Sequence, residues 1–139
     1  QMLSRIGLAV KLETHPAATY FTKARNGDFA FALLGWGSFS GDLALRSLVA
    51  TPNADKGFGS WNWGRGSIAR VDELLEAGFR NTDERGREAS AIEAMTLAMR
   101  ARAVIPLHHQ MATWAMKKGL AYDGRTDEYT FANAVRAQP

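Results

Sequence analysis

Between residues 8 and 42 the chain carries a pattern that few folds can accommodate: an alternating segment, a short helical one, then a run apolar on both faces. Leu8, Val10 and Leu12 alternate with Ala9, Lys11 and Glu13, the two-residue period of a strand with one buried face. Pro16 stands where a first helical position belongs and opens a segment with Tyr20, Phe21 and Ala24 that stops at Asn26-Gly27. Phe29 to Leu34 is apolar throughout, as in a strand covered on both sides. Strand, helix and buried strand with tight connections predict a βαβ unit with parallel strands and a right-handed crossover. The expected fold class is α/β, a mixed sheet containing that βαβ unit and flanked by helices.

Composition excludes several alternatives. A chain of 139 residues that is 46% apolar and 22% charged, with no cysteine, has the profile of a globular domain rather than of a disordered, collagen-like or disulfide-stapled one. Its 17 basic and 14 acidic residues are interspersed, so no basic stripe exists to displace counterions from nucleic acid. No stretch approaches the roughly 20 apolar residues that span a bilayer. Gln1 to Gly7 reads as the last turns of a helix ending at Gly7, and a helix without a beginning predicts a fragment of a longer protein. Absence of cysteine suits an extracytoplasmic bacterial protein, and many cytosolic proteins lack it too.

Leu43 to Ala50 reads as a short helix stopped by Thr51-Pro52-Asn53. From there to Ser67 the chain is rich in glycine and aromatic residues and has neither period, and structureless connections of this length are usually functional or mobile. Ser67 is expected to cap a helix with Ile68, Val71, Leu74, Leu75 and Phe79 on one face. A Thr82 or Asp83 cap leads into a second helix with Ala89, Ile92, Met95 and Met99 inward. Val104 to Leu107 and Ala112 to Met116 are expected strands, Pro106 marking an edge or bulge.

In open α/β sheets, ligands bind beyond the carboxyl ends of parallel strands, and here that connection is Gly35-Trp36-Gly37-Ser38-Phe39-Ser40-Gly41-Asp42. Trp36 and Phe39 offer apolar walls, Ser38 and Ser40 hydrogen bonds, Gly37 close backbone approach, and Asp42 a partner for an ammonium group. Equally, Trp36 could complete the core while Ser40 or Asp42 caps the next helix. Trp61, Asn62 and Trp63 could present two rings and an amide to a ligand, or pin their loop to the domain. His108 and His109 are adjacent and would point to opposite faces of a strand, which defeats joint chelation. There is no cysteine, no G-x-S-x-G elbow and no dinucleotide fingerprint, so no enzyme, metal site or cofactor is expected.

These segments resemble, in order, the last stretch of bacterial family 5 solute-binding proteins, the dipeptide and oligopeptide receptors of ABC importers. Gln1 to Val10 is similar to their helix-Gly-Ile-x-Val opening. Phe29 to Asp42, FAFALLGWGSFSGD, is similar to their strand leading to a Trp and an acidic residue, and Asn62 followed by Val71-Asp72-Glu73-Leu74-Leu75 to their Asn-rich loop and "evDaLi" helix. Asp83 to Arg87 and Ile105 to Gln110 resemble their "D…R" helix start and "iPLyyq" strand.

The resemblance implies that residues 1–139 are part of the second lobe of a periplasmic-binding-protein-like fold. Its partners would be a missing amino-terminal lobe of the same chain and a membrane permease. It implies a periplasmic receptor that encloses a small solute, peptidic or amine-bearing, with Asp42 at the position that pairs with a peptide's amino group. Ser38-Phe39-Ser40-Gly41 replaces the family's acidic-Tyr-Pro-Asp type of loop, and the family also carries nickel complexes, opines, glutathione, haem and sugars, so the solute stays open. Two rivals remain: a hydrolase or transferase using His108 or His109 with Asp42, and a protein-interaction domain whose glycine-aromatic loop is the contact surface.

Overall fold

The computed structural model describes residues 2–138 and shows a mixed α/β chain that is mostly helical. Four helices, α1 (Ala17–Asn26), α2 (Gly41–Leu48), α3 (Ala69–Arg80) and α4 (Glu84–Arg100), are followed by β1 (Leu120–Ala121) and β2 (Arg136–Ala137). The chain divides into two compact units, one running to Ile105 and one starting at Pro106.

In the first unit, α3 packs along α4 and α2 packs on both. Leu45, Val49, Ala50, Phe58, Val71, Leu74, Leu75, Ala94 and Ala98 form the buried core. The predicted stripe of α3 is borne out at Val71, Leu74 and Leu75, while Phe79 lies at the edge. Ser67 does not cap α3. Ile68 occupies that position, and the Ser67 hydroxyl pairs instead with Thr51 Oγ1 at 2.9 Å. Asp83 does cap α4, its Oδ2 accepting from Gly86 N at 2.8 Å.

The inward face of α4 differs from expectation. Ala94 and Ala98 are buried, whereas Ile92 and Met95 are exposed. Two helices approach closely only where side chains are small, and the α3 side supplies Gly78, where a Cβ would already touch Ser90. Alanine therefore takes the contact line and the larger side chains are displaced outward.

The βαβ unit is not formed. Residues 8–13 and 29–34 have no regular structure and pair with no strand, and most of their apolar side chains stay in solvent, Leu12 at 85%, Phe31 at 72% and Leu33 at 71% exposure. A two-residue period encodes a face to bury, not the neighbour that buries it. The Leu33 carbonyl, which a ladder would use, instead accepts from Tyr20 Oη at 2.5 Å. The helix between them forms as expected, with Pro16 just before its first turn and Gly27 closing it at φ +80°. Upstream, Leu3–Ile6 is a single 3-10 turn ended by Gly7 at φ +83°, and Gln1 lies outside the described residues.

In the second unit the strands expected at 104–107 and 112–116 are absent, and β1 pairs β2 antiparallel, Leu120 opposite Ala137. Residues 106–116 are coil, and the ordering centre is Trp114. Its ring lies 5.8 Å from that of Tyr122, and its Nε1 donates to Thr130 Oγ1 at 2.9 Å. Tyr122 Oη donates to the Tyr129 carbonyl at 2.8 Å. Gly124 is needed under this indole, because a Cβ there would lie 2.6 Å from the Trp114 ring.

Candidate functional site

The loop from Pro52 to Gly66 has no regular structure, so its position depends on where its backbone groups find partners. Gly59 N donates to the Arg46 carbonyl at 2.9 Å and Trp61 N to the Ser47 carbonyl at 3.0 Å, which seats the loop on the last turn of α2. Asn62 completes the anchorage. Its Nδ2 donates to the Ala50 carbonyl at 2.9 Å and the Gly66 carbonyl at 2.8 Å, and its Oδ1 accepts from Gly66 N at 3.2 Å. Gly59 adopts φ +63°, and a Cβ there would sit 2.6 Å from Pro52 N. Thr51, at the loop's entrance, is held by Asp72 through its N–H at 2.8 Å and its hydroxyl at 2.5 Å.

So held, the loop brings Trp61 and Trp63 to the segment that follows residue 34. Trp36 meets Trp61 with centroids 5.2 Å apart, and Trp61 meets Trp63 at 5.4 Å. Phe21 of α1 stands edge-on to Trp61 at 5.7 Å and lies 6.1 Å from Trp63. The chain of rings continues through Tyr20 to Phe29 at 5.4 Å and ends with His15 stacked on Phe29 at 5.7 Å. Four of these seven rings, His15, Tyr20, Phe21 and Phe29, were not singled out from sequence. Their spacing around one short helix was the available signal.

The remaining sequence-predicted residues stand apart from this cluster. Phe39 is 94% exposed, and Gly37 faces open space. Ser38 Oγ donates to the Ser40 carbonyl at 2.9 Å. Asp42 lies in the first turn of α2, half-buried, with Oδ1 accepting from Leu43 N at 3.0 Å. Ser40 occupies the cap position of α2 and makes no side-chain cap bond. Asp42 Oδ2 has no protein partner among the described residues, and a carboxylate in a first helical turn is favoured by the helix dipole.

Beside the aromatic cluster is an open depression of about 530 Å³ lined by Arg25, Pro52, Gly59, Ser60, Asn62, Trp63 and Arg65. Trp36 and Asp42 do not line it. The Trp63 Nε1 atom is buried without an acceptor among the described residues. Asn62 spends its amide on backbone groups, so it shapes the depression rather than offering free polar atoms to it.

Glu13 organises the approach to α1. It receives Lys11 Nζ at 2.8 Å, faces His15 Nε2 at 3.2 Å and has Lys23 Nζ of α1 at 3.8 Å. The Lys11 hydrogen bond foremost, then that of His15 and the lysine charges, lower its carboxyl to about 2. His108 and His109 are exposed and without a carboxylate partner among the described residues. No cluster of three or more His, Asp and Glu that could hold a metal occurs among the described residues. Among the described residues, no helix is long and apolar enough to cross a membrane.

Set against known protein families, curated proteins and solved structures, the chain matches none.

Proposed function

We propose that this chain is part of the second lobe of an extracytoplasmic solute receptor that serves an ABC importer. The observation that carries this reading is the meeting of Trp36 with Trp61, which in turn meets Trp63, so that two loops 25 residues apart share one aromatic wall. Such a wall offers a large contact area at small entropic cost. Trp36 and Phe39 pack on the body of the solute, Trp61 and Trp63 extend the wall, and Asn62 fixes the loop that presents them. The free oxygen of Asp42 pairs with a cationic group of a peptidic or amine-bearing solute.

The unpaired apolar segments support an incomplete lobe. The chain exposes 11246 Å², roughly 3,000 Å² more than two separately compact bodies of these lengths would. Leu8, Val10, Leu12, Phe31 and Leu33 contribute to that excess, and strands from the rest of a larger receptor would cover them. In the complete receptor, contacts from both lobes favour a closed state that the permease recognises. Isolated, this part binds solute weakly because half of the contacts are missing.

Calorimetry of the intact receptor with the solute that co-purifies with it tests the assignment. Asp42→Ala is expected to weaken binding at least tenfold and Trp36→Ala severalfold. Unchanged affinity in both variants overturns the roles given to these side chains. The exposed apolar residues also favour a second reading, a protein-interaction domain. That reading holds if no small solute binds and Leu33→Lys abolishes capture of a macromolecular partner.

A further inference from the structure

The depression beside Trp63 carries two like charges and no countercharge. Arg25 comes from the last turn of α1 and Arg65 from the far end of the loop, and both line the same cavity. Neither guanidinium pairs with a carboxylate among the described residues, and no acidic residue contributes to the lining. Lys11, Lys56, Arg70, Arg80, Arg125 and Arg136 hold carboxylates, whereas Arg85, Arg87, Arg100 and Arg102, like Arg25 and Arg65, pair with none among the described residues; what distinguishes Arg25 and Arg65 is that the two line one depression. Ser60 adds a hydroxyl with no protein partner among the described residues. Arg65 is one of three non-glycine residues with positive φ among the described residues, at +50°, and a strained backbone persists where surrounding contacts hold it. Here the Asn62 amide does so, binding both the carbonyl and the N–H of Gly66.

We propose that this depression binds a small organic oxyanion, a carboxylate or phosphate, with its charged end between Arg25 and Arg65 and its apolar body on Pro52 and Trp63. Guanidinium groups match such oxygens with paired N–H donors, and two cations lining one depression without a counterion gain from an anion placed there. The Ser60 hydroxyl supplies a further donor. The site lies within the first unit and shares Trp63 with the receptor reading, but it uses neither Asp42 nor Trp36, so variants of Arg25 and Arg65 test it separately from that reading.

Titration of the full chain with benzoate, phenyl phosphate and benzyl alcohol, followed by tryptophan fluorescence and by side-chain NMR of the arginines, tests the proposal. Both anions, or one of them, are expected to bind, and the neutral alcohol at least tenfold more weakly. The tighter of the two anions identifies the oxyanion. Arg25→Gln and Arg65→Gln should each raise the dissociation constant about tenfold, and the double variant should abolish binding. Arg65→Lys should retain part of it, and raising the salt concentration should weaken it. Circular dichroism is expected to be unchanged, because both side chains are exposed. Binding of benzyl alcohol as tight as benzoate, affinity unchanged in the double variant, or no binding of either anion overturns the assignment.

Discussion

Trp36 and Trp61 stand edge to face, their centroids 5.2 Å apart and their planes at 65°. Because the quadrupole of one ring favours the edge of another, this geometry contributes beyond buried area, by about 0.5–1.5 kcal/mol in pairs of this kind. Partial exposure of Trp36 puts the pair at the lower end of that range. A double-mutant cycle on Trp36→Ala and Trp61→Ala, read by urea denaturation, is expected to give a coupling of about 0.5–1 kcal/mol. Additive effects would mean that the two loops are held independently.

Asn62 holds its loop through an amide whose two ends have opposite roles. Asn62→Asp replaces the Nδ2 donor with an oxygen facing the Ala50 and Gly66 carbonyls, while Gly66 N keeps its acceptor. Loss of hydrogen bonds and repulsion between oxygens should cost about 2–3 kcal/mol, more than Asn62→Ala, where only partners are lost. Chemical denaturation of the two variants gives the order. Equal losses would show that the carbonyls are satisfied by water.

Gly59 marks the point where the loop crosses the exit of α2. A Cβ would run into the Ala50 carbonyl oxygen and the Pro52 backbone, and φ is +63°. Gly59→Ala should therefore destabilise the first unit by about 2 kcal/mol or more and loosen Trp61. Gly64→Ala, where a Cβ meets open space and φ is not positive, serves as the control and should cost about 0.5 kcal/mol or less. Thermal melts with fluorescence at the red edge of tryptophan emission distinguish them.

Features set by local chemistry were legible in the sequence. The cap at Asp83, the stop at Thr51-Pro52, the irregular loop to Ser67 and the apolar face of α3 depend on residues within a turn or two of one another. Features set by distant partners were not. Leu8 to Leu12 and Phe29 to Leu34 have the period of strands, but period does not supply a neighbouring strand, and both segments stay unpaired. The face of α4 was misplaced because hydrophobicity points to Ile92 and Met95, whereas close approach to α3 selects Ala94 and Ala98. At the candidate site, Trp36, Trp61 and Trp63 were each visible, and their gathering with Phe21 and Tyr20 was not, since nothing local records contacts across 25 to 43 residues.

Glu13 predicts a dependence on acid. Its carboxyl titrates at about 2, chiefly through the Lys11 hydrogen bond, against an ordinary value of 4.5. Between those values the unfolded chain binds more protons than the folded one, so the contribution of this cluster is fully present above pH 4.5. It declines as pH falls toward 2. The contact at 3.8 Å with Lys23 joins Glu13 to α1, and His15 stacked on Phe29 holds the same segment, so that segment should loosen over this range while α3 and α4 remain folded. Nuclear Overhauser contacts between the His15 and Phe29 rings, recorded from pH 5 down to pH 2, should weaken progressively. Glu13→Gln should abolish this pH dependence, and Lys23→Met should reduce it. Contacts unchanged across the range in the unmodified chain would show that the cluster does not tether this segment.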